Sequence, residues 1–145
     1  MSRASFQIID NQRAGALAPA RLRTMIKKIC ASADIDPEAV SFVFCGNERI
    51  RELNRRYLRT DSVTDVIAFP LAEKTEPGYL GEVVVSVERA VEAAPSYRHG
   101  WEKELALYCI HGVLHLLGYD DRTAESRREM ERRQEEILQD IYSER

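Results

Sequence analysis

Hydrophobic residues recur along this chain with two different periods, one typical of helices and one typical of strands. Four apolar residues between 19 and 32 follow the i, i+3, i+4, i+7 rule of an amphipathic helix, and Pro19 suits the first turn of that helix. Strict alternation over 40–45 predicts a strand that packs one side on a core. The apolar helical residues are Leu22, Met25, Ile26 and Ile29, and the alternating strand residues are Val40, Phe42 and Phe44.

The same two patterns predict the remaining elements, with proline and glycine marking their ends. Exposed loops are expected at 11–18 and 73–78. Three further strands are expected, at 6–9, at 64–70 and at 80–86. Four further helices are expected to open at residues that suit a helix start, namely Asn47, Ser86, Gly100 and Thr123.

The length and composition are those of an ordinary globular protein. With 145 residues and no linker, repeat or low-complexity stretch, the chain is expected to form a single domain over 1–145. No apolar run approaches the roughly 20 residues that cross a membrane, and the N-terminus lacks the apolar core of a signal peptide. We therefore expect a cytoplasmic protein with no membrane partner. The odd number of widely spaced cysteines favours buried free thiols at Cys30, Cys45 and Cys109.

The most specific chemical signal is a pair of histidines four residues apart in the fourth predicted helix. His111 and His115 would lie on the same helical face with Cβ atoms roughly 5–6 Å apart, so that both imidazoles can bind one ion. Gly118 offers the positive φ that commonly ends a helix, which lets the chain bring Asp121 to the same ion as a third ligand. The alternative is a pair of core histidines, but the glycine stop and the nearby carboxylate argue against it.

The residue between the histidines separates this motif from the helix of the usual zinc proteases. In the sequence His-Glu-x-x-His, the glutamate acts as general base. Here that position is Gly112, which cannot accept a proton and so disfavours a metalloprotease. The sequence does not identify a general base. Asp120 is a candidate for orienting a ligand or a water, and it suits a loop-fixing role equally well.

Positive charge is concentrated near the start of the chain, although the net charge is only −3. The first sixty residues carry 11 Lys and Arg against 6 Asp and Glu, and the remainder carries 10 against 18. Guanidinium groups match phosphate geometry bidentately, so an arginine cluster suits a phosphodiester substrate. The alternative is a solvated helix face that is partly paired with Glu48 and Glu52. The clustered residues are Arg49, Arg51, Arg55, Arg56 and Arg59.

Several sequence blocks, taken in order, resemble the YbeY family of metal-dependent endoribonucleases, also called ribosomal RNA maturation factors. The histidine helix extended through Gly118, Tyr119 and Asp120 is the most specific block, and the set spans roughly residues 40–140. The other blocks are Leu53-Asn54-Arg55 with Tyr57, Thr64-Asp65-Val66 with Phe69-Pro70, Leu80-Gly81-Glu82 through Ser86, and Met130 with Gln134, Ile137 and Leu138.

The resemblance implies an α+β fold in which a small mixed β-sheet of about four strands packs with about five helices, as in metal hydrolases. It implies a single-strand-specific endoribonuclease that acts on ribosomal RNA precursors in ribosomal RNA maturation and ribosome quality control, with the ribosome or ribosomal proteins as partners. One Zn²⁺ or another divalent transition metal would assist phosphodiester hydrolysis. A non-enzymatic ribosome-assembly factor with a structural metal is the alternative.

The residue patterns and the resemblance together give candidate roles to individual residues. The metal ligands would be His111, His115 and Asp121. The RNA-binding candidates are Arg55, Arg56 and Arg59, and the catalytic candidates are Arg59 and Asp120.

Three positions depart from the family pattern. Asp121 stands where the family usually has a third histidine, but a carboxylate oxygen is an ordinary zinc ligand at about 2.0–2.2 Å, so the site would change its charge and be kept. The family arginine that directly follows the tyrosine is replaced by Leu58, and whether Arg59 does the same work is open. Val63 stands where the family usually has a proline before Thr64. The φ angle at this position is therefore no longer fixed by a proline ring.

Overall fold

The computed structural model describes residues 5–8, 18–58, 66–70, 78–97 and 100–142, and the structural statements that follow concern these residues. The strands are β1 (Ser5–Ile8), β2 (Val40–Cys45), β3 (Val66–Pro70) and β4 (Gly81–Ser86). The α-helices are α1 (Pro19–Ser32), α2 (Asn47–Leu58), α3 (Val87–Ala93), α4 (Trp101–Leu116) and α5 (Ala124–Tyr142). Short 3-10 helices cover Pro37–Ala39 and Ala94–Tyr97.

The strands form one mixed sheet in the order β1-β2-β4-β3. β1 is parallel to β2 and β2 is parallel to β4, whereas β3 pairs antiparallel with β4 at the edge of the sheet. Parallel neighbours need a long crossover connection, which contains α1 between β1 and β2 and contains α2 between β2 and β4. The predicted α+β class is therefore confirmed.

The sheet separates two apolar layers of unequal size. Side chains alternate along a strand, so Val83 and Val85 of β4 contribute to one layer while Val84 contributes to the other. The larger layer includes residues of α1, α3, α4 and α5. The smaller layer is completed by Ile50 and Leu53 of α2. The arginine-rich helix α2 thus lies on the opposite face of the sheet from α4.

Four helices begin where the sequence predicts, α4 at its N-cap Gly100 and the other three at a more specific local signal. α1 opens with Pro19 in its first turn. The hydroxyl of Ser86 accepts a hydrogen bond from the backbone N–H of Arg89 at 3.1 Å and so caps α3. The hydroxyl of Thr123 accepts one from the N–H of Ser126 at 3.0 Å, at the start of α5. These predicted helix starts are confirmed.

The prediction that Asn47 caps the second helix is wrong, because Asn47 is already the first residue of α2. Its backbone N–H donates to Oε1 of Glu88 in α3, at 2.7 Å. Its side-chain oxygen accepts a hydrogen bond from the hydroxyl of Ser86 at 2.6 Å. The carboxylate of a neighbouring helix therefore accepts a hydrogen bond from a free backbone N–H at the start of α2. Its negative charge is favourable at that end of a helix.

Helix α4 approaches the sheet closely at Gly112. A Cβ atom at this position would lie 2.5 Å from Cγ1 of Val83 and 3.2 Å from Cγ2 of Val66. Carbon atoms that are not bonded pack at about 3.5–4.0 Å, so a larger residue would force the helix or the strand to move. The glycine that stands in place of the protease glutamate is therefore one that the packing of helix on sheet requires.

The cysteines are buried free thiols, as the sequence predicts. Burial raises the pKa of Cys30 to about 12 and that of Cys109 further still, so these thiols stay protonated. No helix within the described ranges is long and apolar enough to span a membrane. The predicted loops at 11–18 and 73–78 lie almost entirely outside the described residues, and the single domain over 1–145 stays a prediction.

Candidate metal centre

Two histidine rings of α4 face each other at the end of the helix. His111 and His115 are one turn apart and half-buried, and their ring centroids are 4.6 Å apart. Their Nε2 atoms are separated by 3.1 Å, which is close enough for a proton or a metal ion to lie between them. The helical spacing thus brings these two predicted site residues together.

A glutamine of α5 orients one of the two rings. The side-chain oxygen of Gln134 lies 3.3 Å from Nδ1 of His111. When Nδ1 donates its proton to that oxygen, the lone pair of Nε2 is left free for a metal ion. This role of Gln134 is not apparent from the sequence alone. The signal was its place on the buried stripe of α5, four residues after Met130 and three before Ile137, both of which are buried.

The surroundings of His115 keep its imidazole uncharged near neutral pH. Burial lowers the pKa of the ring below its ordinary value, and the neighbouring His111 lowers it further. Asp121, Asp120 and a hydrogen bond with the backbone of Tyr119 raise this pKa without reversing the shift. Metal ions bind the neutral form of histidine, so this lowered pKa favours the form of the ring that can bind one.

The two rings fit a zinc-like ion. Nitrogen atoms about 2.0–2.1 Å from a tetrahedral Zn²⁺ would be about 3.4 Å apart, close to the 3.1 Å between the Nε2 atoms of His111 and His115. The contact between Nδ1 of His111 and the side-chain oxygen of Gln134 is also of the kind that usually fixes metal-bound histidines. The spacing of the two Nε2 atoms is therefore compatible with two ligands of such a site, and their assignment as metal ligands stays a prediction.

A glycine turn ends α4 directly after the histidines. Gly118 has a φ of 103°, and its N–H donates to the carbonyl oxygen of His115 at 3.0 Å. The N–H of Tyr119 donates to the carbonyl oxygen of Leu114, also at 3.0 Å. These two bonds form a Schellman motif, in which glycine supplies the left-handed residue. The predicted helix stop at Gly118 is confirmed.

The carboxylate of Asp120 is engaged in the loop between α4 and α5. Its Oδ1 accepts a hydrogen bond from the backbone N–H of Arg122 at 3.0 Å. That bond, followed in importance by one from the side chain of Ser126, lowers the pKa of Asp120 below its ordinary value. These contacts favour the loop-fixing role of Asp120, and its catalytic role stays a prediction.

Asp121 is exposed in the same loop, and its negative charge raises the pKa of the His115 imidazole. Within the described part of the chain, however, no three His, Cys, Asp or Glu side chains are grouped closely enough to hold an ion. The structure therefore brings His111 and His115 together and leaves Asp121 outside the group. Its assignment as third ligand stays a prediction.

The arginine cluster lies on α2, on the other side of the sheet from the histidine pair. Arg55 and Arg56 are exposed in the last turn of that helix. Glu52 forms ion pairs with Arg49 at 3.0 Å and with Arg56 at 3.6 Å. This pairing agrees in part with the alternative interpretation, in which the arginines form a solvated helix face partly paired with glutamates. Arg59 lies outside the described residues, and the RNA-binding assignment of all three candidate arginines stays a prediction.

The chain is similar to known proteins over most of its length. A profile of the family described as endoribonuclease YbeY matches residues 5–142. The chain is 42% identical over 129 residues to endoribonuclease YbeY of Bacillus cereus (strain G9842), and 41% identical over 129 residues to that of Bacillus mycoides (strain KBAB4). Each of these alignments covers 81% of this chain and 83% of the relative. The fold is similar to the solution structure of TM1509 from Thermotoga maritima, with a TM-score of 0.66 and 28% identity over 94% of this chain and 89% of that one.

Proposed function

The chain belongs to the YbeY family of endoribonucleases, and from this membership we propose that it cleaves single-stranded RNA in ribosomal RNA maturation and ribosome quality control. An endoribonuclease acts on RNA, and its reaction is the hydrolysis of an internal phosphodiester bond. The proposal gives the protein a ribosomal RNA precursor as substrate and the ribosome or ribosomal proteins as partners, in the cytoplasm.

The observation that supports a metal-assisted reaction is the arrangement of His111, His115 and Gln134. Two imidazoles face each other across 3.1 Å, and a side-chain oxygen orients one of them. These histidines would hold one Zn²⁺ or a related ion, with Asp121 as the proposed third ligand. When bound, such an ion polarises a phosphodiester oxygen and lowers the pKa of a bound water towards ~7.

The residues of the chain prepare this site in three ways. The side-chain oxygen of Gln134 beside Nδ1 of His111 favours the tautomer with the proton on Nδ1, in which Nε2 presents its lone pair. Burial keeps His115 neutral. Asp120 fixes the start of α5 through the N–H of Arg122 and thereby limits the movement of the loop that carries Asp121. The site thus offers positioned ligands, and no glutamate base lies beside them on α4.

Purified protein is expected to carry about one equivalent of zinc or a related divalent ion, because two neutral imidazoles and a carboxylate suit such ions. Elemental analysis measures this content. Asp121→Ala should weaken metal retention, and Asp121→His should keep or strengthen it. Gln134→Leu should lower metal affinity about 10–100-fold because His111 loses the oxygen that orients its ring, whereas Gln134→Glu keeps an acceptor and serves as the matched control.

A His111→Ala/His115→Ala double variant is the reference for adventitious metal. Equal metal content in this variant and in the wild type would exclude the histidine site. Equal content in the wild type and in Asp121→Ala would instead point to a different third ligand and leave the histidine pair in place.

RNA binding is expected to weaken as salt rises, with a log–log slope of about −0.7 for each phosphate that the protein neutralises on a single strand. Replacing Arg55, Arg56 and Arg59 with glutamine should make the slope less steep by up to about 2, because up to three phosphate contacts are lost. Fluorescence anisotropy of a labelled oligoribonucleotide over a salt series, with chelator present to prevent cleavage, measures both quantities.

The matched control removes the same charge from α5, where Arg127, Arg128 and Arg132 are exposed. This second triple variant should keep a slope near that of the wild type. If the salt slope became equally less steep in both triple variants, the effect would be one of net charge and not of the α2 arginines. An unchanged slope in a folded Arg55/Arg56/Arg59 variant would make the cluster a solvated face.

A further inference from the structure

The outer face of the sheet carries a groove of about 340 Å³ beside α2, apart from the histidine pair. Apolar groups of Val43, Leu53 and Val84 line it, together with the contacting rings of Tyr57 and Phe69 and the opposite charges of Arg49 and Glu82. Pockets that hold small ligands have volumes of roughly 300–1,000 Å³, so the groove is large enough for a single planar group.

Tyr57 is exposed yet fixed in orientation. Its side chain is 58% exposed, more than any other large hydrophobic side chain in the described residues. The ring makes an edge contact with Phe69, with centroids 5.7 Å apart and ring planes at 78°. An aromatic ring that is oriented by a neighbour and open to solvent is a platform on which another planar group can stack.

The guanidinium of Arg56 lies above this platform, 5.9 Å from the centre of the Tyr57 ring. Stacked planar groups are separated by about 3.5 Å, so a base can stack on the ring beneath the guanidinium only if the guanidinium moves outward. Arg56 is 57% exposed, and its ion pair with Glu52 is long, at 3.6 Å. This movement of the Arg56 side chain costs little, because an exposed ion pair of this kind is weak.

We propose that the groove binds one nucleobase of the RNA substrate, stacked on Tyr57 beneath Arg56, and this proposal rests on the ribonuclease function proposed above. Aromatic rings bind bases of any sequence because every base has a π-face, and arginine adds a cationic contact. Arg49 lines the groove and Arg56 lies over the Tyr57 ring, and cations beside an exposed aromatic ring favour a nucleotide over a protein segment as occupant. Because the groove and the histidine pair lie on opposite sides of the sheet, the stacked nucleotide anchors the strand away from the scissile bond.

Binding of a labelled single-stranded oligoribonucleotide in the presence of chelator tests the proposal without cleavage. Tyr57→Leu is expected to weaken binding about tenfold, whereas Tyr57→Phe keeps the ring and binds like the wild type. Since neither change removes a charge, the salt slope should not change, unlike that of the arginine variants. The matched control is Tyr142→Leu, at a second exposed tyrosine that lies 5.6 Å from the Lys103 ammonium on the opposite face of the sheet; it should bind like the wild type.

In cleavage assays with active protein, Tyr57→Leu should raise KM by a similar factor and leave kcat unchanged, as expected for a contact far from the reacting bond. Thermal melting establishes that each variant is folded. Wild-type affinity for RNA in folded Tyr57→Leu would overturn the proposal. If the same variant had lost the binding of a ribosomal protein that the wild type binds, the groove would be a protein-binding site. Equal weakening in Tyr57→Phe and Tyr57→Leu would overturn stacking in favour of a hydroxyl contact. If RNA is still cleaved in either of these cases, the proposed ribonuclease function is kept. If the wild type neither binds nor cleaves RNA, the proposed function and the nucleobase site are both overturned.

Discussion

The Gly112→Glu variant, which has the His-Glu-x-x-His spacing of zinc proteases, is expected not to fold. Its first side-chain carbon would already lie 2.5 Å from Val83, and its carboxylate would be forced against the sheet. An unpaired buried charge costs several kcal/mol in addition to the steric clash, against a total stability of about 5–15 kcal/mol for a typical domain. Gly112→Ala carries the clash without the charge and is expected to cost about 1–3 kcal/mol. Circular dichroism and thermal melting of the soluble fraction measure both outcomes.

Gly100→Ala is the matched control. Gly100 precedes α4 with a φ of −70°, and a Cβ added there meets nothing within 4 Å. This variant should lose no more than about 1 kcal/mol, the usual scale of a change at a helix N-cap. A stable, cooperatively melting Gly112→Glu protein would contradict the packing argument, and it would then need to be assayed for proteolysis.

Cleavage of single-stranded RNA is expected to fall at least about a hundredfold both on chelation and in His115→Ala, because each removes the Lewis acid from the site. Structured RNA should be cut less, and an unfolded protein substrate should remain intact, since no glutamate base occupies position 112. Gel analysis of end-labelled RNA gives the rates. If the ion were only structural, the protein would bind RNA without cleaving it, and removal of the metal would lower its melting temperature.

Contaminating ribonuclease is the main confounder, so only activity that is lost in identically purified His115→Ala counts. His99→Ala, which removes the third histidine of the chain, controls for loss of an imidazole outside the pair. If His115→Ala binds less metal, stays folded and cleaves RNA as fast as the wild type, the chemistry takes place elsewhere.

Features that depend on neighbouring residues were predictable from the sequence. α1 covers Pro19–Ser32, the range that its apolar spacing and its proline predict. The facing histidines follow from the helical repeat alone, and the turn at Gly118 follows from the tolerance of glycine for positive φ. In each case the determining contacts lie within one or two helical turns, so local chemistry is enough.

Features that depend on distant contacts were not predictable. The start of α2 is satisfied by Glu88, 41 residues from Asn47, and no local signal identifies that partner. His111 is oriented by Gln134, 23 residues away, which only the packing of α5 brings near. The alternation over 40–45 predicted one buried side of β2, yet Val43 is also buried, because α2 covers the other face of the sheet.

The segment that carries the histidine pair is continuous in the chain, and this order has a consequence for folding kinetics. α4, its glycine turn and α5 follow one another directly, whereas the sheet must join Val40 of β2 to Gly81 of β4 across α2 and β3. Short loops close with less loss of entropy, and local contacts form sooner than distant ones. We therefore expect the two helices to meet before the central strands pair. The imidazoles would then be able to capture an ion from a partly folded chain, before the central strands of the sheet have paired.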